Sequence, residues 1–148
     1  MQIIDQTPYR SETGAIDILG RVQGTFKHGL AWYDSLKAQD AIIAILNKQL
    51  DKLFILLRNV TLPEIEITLP LVLIGPPGIF LINVIHERGV YSAKGDEWGT
   101  IAGEHFVPAR INQMSRTMQL TKVLQIYLDH QGYKGILVVE PILMAADP

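Results

Sequence analysis

The chain contains no cysteine, which excludes disulfides, thiolate metal sites and cysteine nucleophiles as sources of stability or chemistry. It also lacks an excess of charge of either sign. Lys and Arg number 13 against 15 Asp and Glu, a formal net charge of −2, and a molecule this close to neutral exerts no strong overall field on phosphate polymers. Charged residues make up 19% of the chain against 48% hydrophobic ones, a balance that excludes a disordered polymer. The opening residues, Met1-Gln2-Ile3-Ile4-Asp5-Gln6, have neither the basic start nor the apolar centre of a signal peptide. With the missing cysteines, this predicts a cytoplasmic protein. No serine stands in a Gly-x-Ser-x-Gly setting, so a hydrolase elbow is excluded too.

What the sequence does have is a long apolar stretch, Leu69 to Ile85, interrupted at its centre by Gly75-Pro76-Pro77-Gly78. Two runs rich in Val, Ile, Leu and Phe around four turn formers predict a hairpin. The run is short for a bilayer span and carries three prolines, so a membrane helix is not expected. The Gly-Pro-Pro-Gly turn is no phosphate loop, since proline removes amide donors and no Gly-Lys-Ser/Thr follows.

At 148 residues the chain suggests one domain, burying about two thirds of its unfolded surface. Residues 1–29 read as an N-terminal arm with one short strand near the alternating Ile16, Ile18 and Val22. Such an arm could cover an edge of its own sheet or pair with a second copy. Residues 30–148 read as the core. Ser35 to Leu50 has helical spacing, with Ser35 as N-cap. Leu53 to Leu57 reads as a buried strand closed at the surface by Arg58-Asn59, and Glu64 to Leu69 alternates like a half-exposed strand. Beyond the hairpin, short strands are expected at Val90–Ala93, around Trp98 and Ile101, and at Glu104–Val107. Lys94-Gly95-Asp96-Glu97 forms the first of their turns. A helix is expected from Ala109 to His130, opened by Pro108, capped by Gly132, and buried through Ile111, Met114, Met118 and Leu124. A last strand follows at Ile136–Val139. The abrupt end at Ala146-Asp147-Pro148 suggests a piece of a longer protein. Helix, strand, hairpin, helix, strand is an α/β order with a mixed sheet flanked by helices.

The segment Ile74-Gly75-Pro76-Pro77-Gly78-Ile79-Phe80-Leu81-Ile82, followed by a strand end, a glycine-bearing turn, a tryptophan and a long helix, resembles the nuclease-related domain (NERD) of the restriction-endonuclease-like superfamily. The resemblance covers about Asp40 to Val139 and implies a restriction-endonuclease-like core. Active members are expected to carry an Asp late in the first hairpin strand and Glu-x-Lys late in the second. Two carboxylates would hold Mg²⁺, and the Lys would steady the attacking water. Those positions here are Pro70, Asn83 and Ile85. The family's upstream helical acid corresponds to Asp40, and the Gln of its later helix to Asn112 or Gln113.

A four-residue loop would oppose Val72 to Leu81, Pro70 to Asn83 and Thr68 to Ile85, all on one face. The frame for converging an acid, an acid and a lysine is kept, with a proline, an amide and an isoleucine in it. Pro70 within a strand predicts an edge or a bulge. The resemblance therefore implies a non-catalytic nuclease-like domain, without a cofactor, serving as a binding, scaffolding or assembly module. Weak nucleic acid binding through Arg88, Lys94 and Arg110 and self-association through the arm accompany that expectation. The alternative is a Mg²⁺-dependent DNA nuclease with acids relocated to Asp40, Glu66, Asp96 or Glu104. A metal site from His86, Glu87, Glu104 and His105 lacks the helical i, i+4 spacing of zinc enzymes, so solvated residues are expected there.

Overall fold

The apolar stretch becomes the centre of a five-stranded sheet. A computed structural model describes residues 1–87 and 89–146. The elements run β1 (Gln2–Asp5), α1 (Ile18–His28), α2 (Trp32–Gln49), β2 (Ile55–Thr61), β3 (Thr68–Gly75), β4 (Gly78–Ile85), β5 (Tyr91–Lys94), β6 (Glu97–Ala102), β7 (His105–Pro108), α3 (Gln113–Leu128) and β8 (Val139–Ala145). The larger sheet has the order β1-β2-β3-β4-β8. Its outer pairs, β1 with β2 and β4 with β8, are parallel, and the pairs either side of β3 are antiparallel. Strands β5, β6 and β7 make a second, antiparallel sheet between β4 and α3. The fold is mixed α/β.

Burial on both faces explains why β3 and β4 read as nearly continuous apolar runs. Leu71, Leu73, Ile82 and Val84 pack with Leu56 against Ala38 and Ile42 of α2. Val72, Ile79 and Leu81 pack with Val139 against Leu124 of α3. Because side chains alternate across a strand, the two helices lie on opposite faces. The hairpin register pairs Val72 with Leu81 and ends in a Gly75–Gly78 pair, leaving Pro76-Pro77 as the loop.

Several expectations are corrected. The arm's strand is Gln2–Asp5, parallel to β2 at the sheet edge, whereas Ile18 and Val22 belong to a helix capped by Asp17. The Asp17 carboxylate accepts from the Gly20 N–H at 2.6 Å, and this cap outweighs a three-residue alternation. Ser35 lies inside α2, which starts earlier and has no side-chain cap. Glu64 to Ile67 is a turn between β2 and β3, with Glu64 and Glu66 in left-handed backbone. Arg58 does not close a strand at the surface, being 3% exposed in the middle of β2. Pro108 ends β7, and α3 starts later behind an Asn112 cap. The last strand starts at Val139, because its apolar partner is β4.

Candidate functional site: a split in the central hairpin

Pro70 decides the local geometry. It lies in β3, the middle strand, so it is not at an edge, and it has no N–H to give either neighbour. The β2–β3 ladder pairs Arg58 with Leu71 and Val60 with Leu69, skipping Asn59 and Pro70. Asn59 takes a left-handed conformation there, with φ of 50°. The β3–β4 ladder stops at Leu71–Ile82. Past that point Thr68 and Leu69 stay with β2, while Asn83, Val84 and Ile85 pair with Leu143, Met144 and Ala145 of β8. The hairpin is thus closed at its turn and open at its base.

A cleft of about 400 Å³ occupies the open base. Thr68, Pro70, Asn83 and Ile85 line it from the strands, Ser35 and Gln39 from α2, and Gln113 and Arg116 from α3. His86 and Glu87, just beyond β4, complete the rim. Pro70, Asn83 and Ile85, expected from the sequence to share one face, therefore line one cavity. Among the described residues Glu87 is the single carboxylate lining it.

Two hydrogen-bond networks fix the cleft walls. On the α3 side, the Asn83 amide donates to Thr117 Oγ1 at 3.1 Å and points to Gln113 Oε1 at 3.5 Å. Gln113 donates to Glu87 at 2.7 Å, and Glu87 also accepts from the Trp98 indole at 3.3 Å. The start of α3 thus buries Gln113, Thr117 and Thr121, while Ile111 and Met118 are exposed. This corrects the apolar stripe at Ile111 and Met118, whereas Leu124, further along the helix, is core as expected.

On the α2 side, Gln39 and Asn59 exchange amide hydrogen bonds at 3.0 and 3.1 Å, and Asn59 also donates to Thr7 at 2.8 Å. Arg58 donates to Gln39 Oε1 at 2.9 Å, to the Leu36 carbonyl at 2.9 Å and to Asp40 at 2.6 Å, and sits 3.5 Å from Asp5. A buried guanidinium needs this many acceptors, because an unpaired charge in the interior is expensive.

The four acids considered as relocated ligands lie elsewhere. Asp40 faces Arg58 and Arg10, and the α2 residue that reaches the cleft is its neighbour Gln39. Glu66 is in the β2–β3 turn. Asp96 and Glu104 flank the two ends of β6, separated by about 20 Å at strand rise. Among the described residues no three His, Asp or Glu side chains converge in a way that could hold a metal ion. Asn112 caps α3 and donates to the Asp96 carbonyl at 2.6 Å, leaving Gln113 as the cleft residue.

Of the expected basic contacts, Lys94 is at the β5–β6 turn opposite Glu97, and Arg110 lines a shallower groove with Glu87 and Tyr91. Arg88 lies outside the described residues. The basic residue in the cleft itself is Arg116. Gln39 and the Arg58-Asn59 pair belong to this region without any motif that marks them. The available signal was a charged residue within the β-forming run Ile55 to Thr61, together with Asp5 and Asp40 as acids that could pair with it.

Compared with protein-family models, curated proteins and solved structures, the chain matches none. No helix among the described residues is long and apolar enough to cross a membrane.

Proposed function

We propose that the chain is a non-catalytic, nuclease-like domain of the NERD type that acts as a binding, scaffolding or assembly module. One observation carries this reading: the cleft at the split hairpin presents Pro70, Asn83 and Ile85, and Asn83 is tied to Thr117 and Gln113 of α3. The element order supports the resemblance, with a helix, a strand, an antiparallel hairpin, a helix and a strand parallel to the hairpin's second arm.

The lining does not fit Mg²⁺. A hard dication takes charged oxygens, and the one carboxylate lining the cleft among the described residues already accepts from Gln113 and Trp98. The amides of Gln39, Asn59, Asn83 and Gln113 offer neutral oxygens, most of them engaged with one another. For the same reason the relocated-acid nuclease is the weaker reading. Asp40, Glu66, Asp96 and Glu104 stand on separate elements, away from the cleft lining.

Incubation of the purified chain with plasmid and single-stranded DNA in Mg²⁺ or Mn²⁺ tests the proposal. The expected result is no cleavage above a protein-free control. Cleavage that Asn83→Ala abolishes would overturn it. Weak nucleic acid binding is the second part of the reading, favoured by Arg116 in the cleft and Arg110 nearby. A titration at two salt concentrations checks it, since each phosphate contact weakens binding as salt rises.

A further inference from the structure

Three cavities follow one another across the molecule and share walls. The cleft at the hairpin base has Ser35, Gln39, Asn59 and Thr68 in common with a second cavity of about 380 Å³, which continues to Lys27, His28 and Trp32. At its other end the cleft has Glu87 and Ile111 in common with the groove of about 350 Å³ that holds Tyr91 and Arg110. Together they make a trough from the end of α1, across the split hairpin, to the small sheet. Each compartment alone has the size of a small-molecule site, so the whole trough suits a chain-like ligand.

Each compartment also contributes one cation. Lys27, Arg116 and Arg110 are exposed, and among the described residues none of them lies within ion-pair distance of a carboxylate. The single carboxylate lining the trough among those residues is Glu87, already accepting from Gln113 and Trp98. A near-neutral molecule thus carries a local surplus of positive charge along this path.

Aromatic pairs stand at both ends. Tyr91 is stacked on Trp98, with ring centroids 5.3 Å apart and planes 8° from parallel, and Trp98 is held by its hydrogen bond to Glu87. His28 is stacked on Trp32 at 5.6 Å and 21°, and Tyr9 packs edge-on against the same indole at 6.1 Å. Rings braced in this way are preset platforms.

We propose that the trough takes a single-stranded nucleic acid, with its phosphates on Lys27, Arg116 and Arg110 and bases stacked on the aromatic pairs at the two ends. Cations that follow a backbone, combined with rings that stack bases, are the recurring means of binding unpaired strands. A duplex keeps its bases stacked on one another, and a polyanion without bases leaves the rings idle. The inference rests on the nucleic acid binding proposed above, to which it adds a strand form and a path.

The chain's two tryptophans, Trp32 and Trp98, belong one to each aromatic pair. Intrinsic fluorescence therefore reports the two ends separately in Trp98→Phe and Trp32→Phe. Titration with oligothymidylates of about two to ten nucleotides is expected to quench both tryptophans, with affinity rising until about four to six nucleotides fill the trough and levelling beyond. A duplex of the same length is expected to bind at least about tenfold more weakly. Three phosphate contacts on a single strand predict a salt slope near −2, and Lys27→Ala, Arg110→Ala and Arg116→Ala should each reduce it by about 0.7 with an unchanged circular dichroism spectrum. Tyr91→Ala should weaken binding about tenfold, the loss of one stacked base.

Oligonucleotide binding that leaves either tryptophan unquenched at every length, or that the three cation variants leave unchanged, overturns the trough while nucleic acid binding itself stands. Duplex binding as tight as single-strand binding overturns the strand form, and heparin that quenches both tryptophans equally well overturns the role given to bases. No binding to any nucleic acid overturns both this inference and the binding on which it rests.

Discussion

The two halves of the β3–β4 hairpin, one apolar up to its turn glycines and the other holding Thr68, Pro70 and Asn83, have different fates. From Leu71–Ile82 to the Gly75–Gly78 pair the ladder is continuous, and Leu71, Leu81 and Ile82 have no exposed surface. From Pro70 to Thr68, and from Asn83 to Ile85, the strands separate and each keeps a different partner. A proline and an amide mark the boundary. The first cannot join a ladder, and the second finds its partners on α3 rather than across the hairpin. The closed half is core throughout, whereas the open half, which still gives Leu69 and Val84 to the core, also lines the cleft.

The closed half should be the more sensitive to mutation. Leu81→Ala removes a fully buried side chain between β4 and α3 and is expected to cost about 4 kcal/mol, measured by urea unfolding. Arg58→Ala, at the boundary opposite Leu71, removes the buried guanidinium that donates to Gln39, the Leu36 carbonyl and Asp40. Its expected cost is about 2–3 kcal/mol, below the usual range for a buried pair because Asp40 is 58% exposed. In the open half, Asn83→Ala unpairs Thr117 from the strand and should cost about 1–2 kcal/mol, with little change in the exchange of amides near the Pro76-Pro77 loop. The smallest effect is expected of Pro70→Val. It restores an N–H at the split, so hydrogen exchange at Leu69 and Leu71 should slow while stability changes by less than about 1 kcal/mol. If Leu81→Ala and Asn83→Ala proved equally costly, the division of the hairpin into a supporting and a site-forming half would fail.

The hairpin, its register at Val72–Leu81 and the mixed α/β class were legible because a run of β-branched residues around Gly-Pro-Pro-Gly has few other folded outcomes. The irregularity at Pro70 was legible as well, since a missing N–H acts locally. Other features depend on tertiary partners. Glu64 to Thr68 has the alternation of a strand, yet two positive-φ residues turn the chain so that Thr61 meets Thr68. Arg58 reads as a strand terminus until Asp5, Gln39 and Asp40 are placed around it. The buried side of α3 was hidden because its first turns bury Gln113 and Thr117 for hydrogen bonding, which apolar periodicity does not detect. Alternation at Ile16, Ile18 and Val22 likewise concealed a helix whose inward face is glycine.

The open half of the hairpin is most directly tested by following the side-chain amide resonances of Asn83 and Gln113 during Mn²⁺ addition. A cleft lined by engaged amides and one doubly hydrogen-bonded carboxylate predicts that these signals persist at stoichiometric metal, with no more broadening than amides on the protein surface. Their selective loss at one equivalent of Mn²⁺ would place a metal at the hairpin base and contradict the non-catalytic account.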